Sequence, residues 1–260
     1  MQTAINAALQ AGKILEKYFE TDILKEFKED QSIVTLADRE AEDAIVKMLN
    51  ETFPEHSIIG EETGAKENGH EFTWYIDPID GTRNFSNGMP FFAVSIALLQ
   101  KLDVVLCVIY NPTTNSLFYA EKGKGAYLNE RRIYVSKDDI SKAIFAGGKG
   151  RKPADRQLYR ELMHNLPEKF PGLTVRDTGC CALDLAFVAR GGFEASINLG
   201  LHSYDFAAGV LLIQEAGGKI TRLDGSEWNF PDNYFVVSNG IFHDLLVSEI
   251  KKIKDKIDLA

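Results

Sequence analysis

The chain has 260 residues, 45% hydrophobic and 26% charged, with 38 acidic against 29 basic side chains and a formal net charge of −9. That balance excludes a fibrous or disordered chain and argues against direct nucleic-acid binding, which needs concentrated Lys and Arg. No apolar run approaches bilayer length, so no membrane partner is expected, and the size suits one large domain or two closely packed halves.

In chain order, Ile5, Ala8, Leu9, Gly12, Leu15 and Phe19 fall at helical spacing on one face, without the apolar core of a signal peptide. Residues 28–32 read as a polar loop. Thr35 opens a second helix with Ala37, Ala41, Ala44, Ile45, Met48 and Leu49 on its apolar face, ending before Pro54. A strand at 56–60 delivers Glu61 and Glu62, and another at 71–76 delivers Asp77. Four more strands, at 91–99, 104–110, 116–120 and 125–128, read as an antiparallel meander joined by turn residues. From Ala154 the pattern alternates: helix 155–166, strand 173–177, helix 181–190, strand 194–199, helix 205–216. The tail at 249–256 reads as a charged, solvated helix. The expected division is an α+β half at 1–145 and an α/β half at 146–260, with Gly147, Gly148 and Gly150 marking a hinge or loop. Cys107, Cys180 and Cys181 form no CxxC pair, which points to a reduced, cytoplasmic setting and buried thiols. Five scattered histidines lack metal-ligand spacing, so zinc chemistry is not expected.

The stretch WYIDPIDGTRNF at 74–85 crowds Asp77 and Asp80 around Pro78 and Ile79. Pro78 favours an extended Asp77, and Asp80-Gly81 suits a sharp turn, so both carboxylates can curl toward one point beside the Ile79 carbonyl. Hard oxygen donors of this kind suit Mg²⁺, Mn²⁺ or Ca²⁺, although Asp-Pro and Asp-Gly are also ordinary turn formers. Gly60-Glu61-Glu62 after a strand and Asp205 at the start of a helix are further acids; alone, the first reads as a solvated turn and the second as a helix cap.

Taken together, IIGEETG at 58–64, WYIDPIDGTRNF at 74–85, FFAVSIAL at 91–98, YDFAAG at 204–209 and EAGG at 215–218 resemble the inositol monophosphatase family of metal-dependent, lithium-sensitive phosphatases. The resemblance runs from VTLAD at 34–38 to VVSNG at 236–240. It implies a layered αβαβα sandwich, of the inositol monophosphatase and fructose-1,6-bisphosphatase type, with the site where the halves meet. It also implies that Glu61, Asp77 and the Ile79 carbonyl hold one Mg²⁺ and that Asp77, Asp80 and Asp205 hold a second, with a third ion or Mn²⁺ as variants. Gly81 and Thr82 then hold phosphate oxygens at a helix start, and Glu61 and Thr82 orient an attacking water, without a phosphoenzyme. Asp38 matches a carboxylate near the metals but also fits a helix-capping arrangement. Lys28 resembles a loop lysine near the third metal but also reads as solvated. Gly179, Cys180, Cys181 and Asn198 fall where relatives contact the alcohol, Asn198 in place of a glutamate, and Tyr204 stands where a tryptophan is usual. Arg83 and the basic segment 149–152 either reach a second phosphate or are solvated. The expected reaction is hydrolysis of a small phosphate monoester, inositol 1-phosphate first, by a homodimer. The alternatives are fructose-1,6-bisphosphatase, histidinol phosphatase and 3′(2′),5′-bisphosphate nucleotidase, and, from another class, a non-catalytic protein-interaction role in transcription.

Overall fold

A computed structural model describes residues 1–21, 24–27 and 33–258. Lys28, with the rest of the expected loop at 28–32, lies outside the described residues. Helix α1 (Gln2–Tyr18) buries an alanine-rich face, and β1 (Lys25–Phe27) pairs with β2 (Ile33–Thr35). Helix α2 (Leu36–Thr52) begins at Thr35, whose N–H and hydroxyl both donate to Asp38 Oδ2, at 2.7 and 2.6 Å. This satisfies donors that a helix start otherwise leaves bare.

The next strands are β3 (Ser57–Gly60), β4 (Gly64–Lys66), β5 (Phe72–Asp80), β6 (Ala93–Gln100), β7 (Asp103–Asn111), β8 (Ser116–Glu121), β9 (Ala126–Leu128) and β10 (Arg131–Ile133). They form an eight-stranded sheet in the order β10-β9-β8-β7-β6-β5-β3-β4, antiparallel except where β3 lies parallel to β5. Between β5 and β6 the short helix α3 (Thr82–Phe85) makes a single turn. The second sheet has the order β12-β11-β13-β15-β14, built from β11 (Ile144–Gly147), β12 (Thr174–Arg176), β13 (Ala195–Leu199), β14 (Lys219–Arg222) and β15 (Tyr234–Ser238).

Helices α1 and α2 cover the outer face of the first sheet. Helices α5 (Cys181–Ala189) and α6 (Ser203–Glu215) lie between the two sheets, and α4 (Pro153–Lys169) and α7 (His243–Asp258) cover the outer face of the second. The result is the expected αβαβα sandwich. Its middle layer is almost wholly apolar, as it must be when both faces of a helix pair meet sheets. Gly209 of α6 allows the close approach, since a side chain there would strike Leu185 of α5.

Three expectations are corrected. The last helix is longer than the charged tail at 249–256, and Leu246, Val247, Ile250 and Ile253 are buried against the second sheet, so it is amphipathic rather than solvated all round. Strand β5 does not stop at Ile76 but continues to Asp80. Helix α6 starts at Ser203, two residues before Asp205. Among the described residues no helix is long and apolar enough to cross a membrane.

Candidate active site

Where β5 passes β6, Asp77 is paired with Ser95 and Asp80 with Ala93, so three steps on one strand match two on the other. Pro78 has no N–H to donate to the ladder, and the resulting bulge re-aims the strand end. The Ile79 N–H turns back to Asp77 Oδ1 at 3.0 Å, closing an Asx turn. Gly81 then takes φ +92°; a side chain there would also press on the Phe91 carbonyl and on Cys180. Only glycine meets both demands at low cost.

The bulge opens onto a crevice of about 270 Å³ between the two sheets. Glu61, Asp77, Ile79, Asp80, Gly81 and Thr82 line one side, and Gly179, Cys180, Cys181 and Asp205 line another. Most of the residues singled out in the sequence therefore meet there although they come from four separate segments. Two do not line it. Asn198 is buried behind Cys181, its amide 3.7 Å from that sulfur and its Oδ1 accepting from Leu201 N–H. Asp38 lies behind Thr82, whose hydroxyl donates to the Ile79 carbonyl at 3.0 Å and lies 3.4 Å from Asp38 Oδ1. Arg83 is exposed and also outside the lining, whereas Lys149 and Arg151 are on the wall.

Each acid has a distinct holder. Asp80 Oδ2 accepts the Ala182 N–H at 2.5 Å and the Cys180 thiol at 3.1 Å, so it sits at the start of α5, where unpaired N–H groups and the helix dipole favour negative charge. Asp205 is the third residue of α6, and its Oδ2 takes the His202 N–H at 2.8 Å. The capping-box reading of Asp38 thus holds in its geometry, whereas Asp205 is not the N-cap itself but the third helical residue, answering the N–H of the capping His202; neither arrangement prevents a second role.

Burial and mutual repulsion raise these carboxyls. Asp77 is pushed well above the ordinary carboxylate range by burial first, then by the charges of Glu61, Asp80 and Asp205. Burial likewise raises Asp205, followed by Asp80 and Glu61. Asp80 is lifted to about 7 by burial, against the opposing donors at the start of α5, and Asp38 to about 7 by burial against its Thr35 bonds. Burial also raises both Cys180 and Cys181, with Asp80 adding to it, so neither is a ready thiolate nucleophile. As the side chains stand, among the described residues no three His, Cys, Asp or Glu form a ready-made metal cage. The donor chemistry nevertheless fits a hard divalent cation: carboxylate and carbonyl oxygens gathered in one crevice, where neighbouring negative charge adds to burial in raising Asp77, Asp80 and Asp205, a repulsion that such a cation neutralises.

Three further residues belong to this machinery. Glu42 of α2 is buried and accepts the N–H groups of Glu62 and Thr63 at 3.0 and 2.6 Å, fixing the turn that carries Glu61. Asn84 of α3 donates to the carbonyls of Phe91 and Thr178 at 2.7 and 2.8 Å, tying the bulge to the loop before α5. Asp184 lines the crevice and accepts the Thr178 hydroxyl at 2.6 Å. A signal existed for one of them: Asp184 is a lone acid on an otherwise apolar helix.

Comparison with known proteins agrees with this picture. The model of the inositol monophosphatase family matches residues 1–255. The inositol-1-monophosphatase of Caulobacter vibrioides is 42% identical over 231 residues, 86% of this chain and 89% of that protein. A Pseudomonas aeruginosa relative named Nus factor SuhB is 37% identical over 250 residues, 92% of this chain and 91% of its own. The crystal structure of the extragenic suppressor protein suhB from Bartonella henselae superposes with a TM-score of 0.91 at 33% identity, covering 97% of this chain and 98% of that one. Sandwich, crevice and matches together define a phosphoric monoester hydrolase. The chain belongs to the inositol monophosphatase family.

Proposed function

We propose that the chain is a Mg²⁺-dependent phosphatase whose preferred substrate is inositol 1-phosphate. The observation that carries this reading is the meeting of Glu61, Asp77, Asp80, Asp205 and the Ile79 carbonyl in one crevice, beside the turn of Gly81 and Thr82. In this reading Glu61, Asp77 and the Ile79 carbonyl hold one ion and Asp77, Asp80 and Asp205 a second; a third ion, or Mn²⁺ in place of Mg²⁺, belongs to the same proposal. Bound there, the ions supply charge neutralisation and an acidified water. The protein's own groups do the positioning on which phosphoryl transfer chiefly depends. The Thr82 hydroxyl, held by the Ile79 carbonyl, and the Glu61 carboxylate orient the attacking water, and Glu61 accepts its proton. Backbone N–H groups at Gly81 and Thr82 receive phosphate oxygens. Because α3 is a single turn, these N–H groups act locally rather than through a long helix dipole. Cys181 and Gly179 border the space for the alcohol, and Asn198 acts on it through Cys181.

Phosphate release from inositol 1-phosphate, with Mg²⁺ and with EDTA, tests the reading; release that persists in EDTA, or none at all with Mg²⁺ or Mn²⁺, overturns it. Asp80→Asn is expected to lower kcat by at least about 100-fold, the order associated with loss of a key electrostatic group. Millimolar Li⁺ is expected to inhibit, and light scattering is expected to give a homodimer. A second reading of the substrate rests on Lys149 and Arg151 on the crevice wall, which suit an ester with a second phosphate, such as fructose 1,6-bisphosphate or a nucleotide bisphosphate. A panel of these esters, with histidinol phosphate, ranks them by kcat/KM. A partner-binding role in transcription, in line with the name of the Pseudomonas aeruginosa relative, predicts instead that Asp80→Asn keeps the cellular phenotype while losing hydrolysis.

A further inference from the structure

A separate cavity of about 330 Å³ lies between α4, the turn after β14, the start of β15 and α7. Its apolar lining is Ala154, Leu158, Leu223 and Ile257, and its polar wall sets three carboxylates, Asp155, Asp224 and Asp232, against two cations, Arg222 and Lys254, with Asn233 and Tyr234 between them. Asp155 is 7% exposed and accepts two neutral donors, the Lys152 N–H at 3.1 Å and the Tyr234 hydroxyl at 3.2 Å to Oδ1. Among the described residues no Lys or Arg side chain pairs with it, and the nearby Arg222 is taken by Asp232 at 2.6 Å. Asp155 is the third residue of α4, where the helix start favours a carboxylate, and among the described residues no ion pair stands in the way of a cation reaching it from the cavity. The volume lies at the small end of ligand sites, which matches a one-ring compound.

The wall also touches both loops of the active crevice. Through the Lys152 N–H, Asp155 holds the end of segment 147–152, much of which lines that crevice, and a side chain at Gly150 would strike both Asp155 and the Leu199 carbonyl. On the other loop, Gly200 donates to the Asn233 carbonyl at 2.7 Å and the Asn233 amide donates to the Leu201 carbonyl at 3.1 Å, just before Asp205. We propose that this cavity is an effector site for a small apolar amine, its ammonium on Asp155 and its hydrocarbon body against Leu158, Leu223 and Ile257. The ammonium competes with the Lys152 and Tyr234 donors for the same two oxygens, and the segment lining the crevice shifts in consequence.

Calorimetric titration of the full chain with 2-phenylethylamine tests the site without requiring turnover, and 3-phenylpropionate is the control of like size and opposite charge. The amine is expected to bind one to one and about tenfold more tightly than the acid, and both Asp155→Asn and Ala154→Trp are expected to weaken it by about tenfold. Ala154 is exposed, so a bulky residue there blocks the cavity without loading the core, and it keeps the test valid if Asp155→Asn loosens α4. Saturating amine is expected to change kcat/KM for inositol 1-phosphate by about twofold or more in the wild type. No binding of the amine, equal binding of the acid, or binding indifferent to Ala154→Trp overturns the site. Binding that leaves turnover unchanged overturns its effector role.

Discussion

Glu42 and His243 show how single buried polar groups set measurable properties. The Glu42 carboxylate is the acceptor for two N–H groups of the turn after β3, and Gly60 is bare because a side chain there would strike it. Glu42→Ala leaves both donors unpaired, so a loss of about 1–3 kcal/mol is expected, together with a fall in kcat/KM as Glu61 loses its fixed position. Glu42→Gln, which retains an acceptor oxygen, is expected to restore part of both; denaturant unfolding and steady-state kinetics of the two variants check it. His243 is buried between the hydroxyls of Thr221 and Ser238, at 2.9 and 2.8 Å, and its pKa is pushed down to about 4 by burial first and by Lys219 second, against Asp244. A histidine depressed in the folded state binds its proton more readily when unfolded. Its stabilising effect is therefore complete above the ordinary histidine pKa and is lost as pH falls from about 6.5 toward 4, by at most about 3 kcal/mol. His243→Gln is expected to flatten the dependence of Tm on pH in that window; an unchanged slope assigns the acid sensitivity to other groups.

At the scale of elements, the bulge in β5 and the start of α5 work as one unit. The sequence shows the ingredients of the bulge, since Pro78 and Gly81 each restrict or permit particular backbone angles whatever surrounds them. It does not show that Asp80, a turn residue in sequence, caps a helix that begins 101 residues later. Asn84 supports this junction through its two carbonyl acceptors. Asn84→Ala is expected to cost about 1–3 kcal/mol and to raise the Mg²⁺ concentration needed for half-maximal activity, because the carboxylates on the two sides lose their common tie. Wild-type Mg²⁺ dependence in a destabilised variant would leave Asn84 with a structural role alone. Gly209→Val probes the other end of α5 and α6: it forces the helices apart at Leu185, and a destabilisation of about 1–3 kcal/mol in urea is expected.

For the whole molecule, the middle layer decides how the two sheets behave. A division near residue 145 cuts through β11, and the side chains of α5 and α6 share one apolar cluster with residues of the first sheet such as Ala97, Cys107 and Phe118. A cut there exposes that cluster on both sides, and exposed apolar area costs about 25 cal/mol per Å². One cooperative transition is therefore expected, with tryptophan fluorescence and circular dichroism giving the same urea midpoint. Trp74 reports the first sheet and Trp228 the second, so separate midpoints would mean that the halves unfold independently.

Period-3.6 and period-2 patterns and the positions of glycine and proline are local properties, and the sequence alone determined what depends on them: most of the elements and the sharp turn at Asp80-Gly81. Contacts between distant segments depend on how layers stack. Only the tertiary structure decided that Asn198 lies behind Cys181 rather than in the crevice, that the charged C-terminal segment buries an apolar face, and that Asp80 meets α5. In each case the partner is fixed by the packing of two sheets around a shared helical layer, and no spacing along the chain encodes that geometry directly.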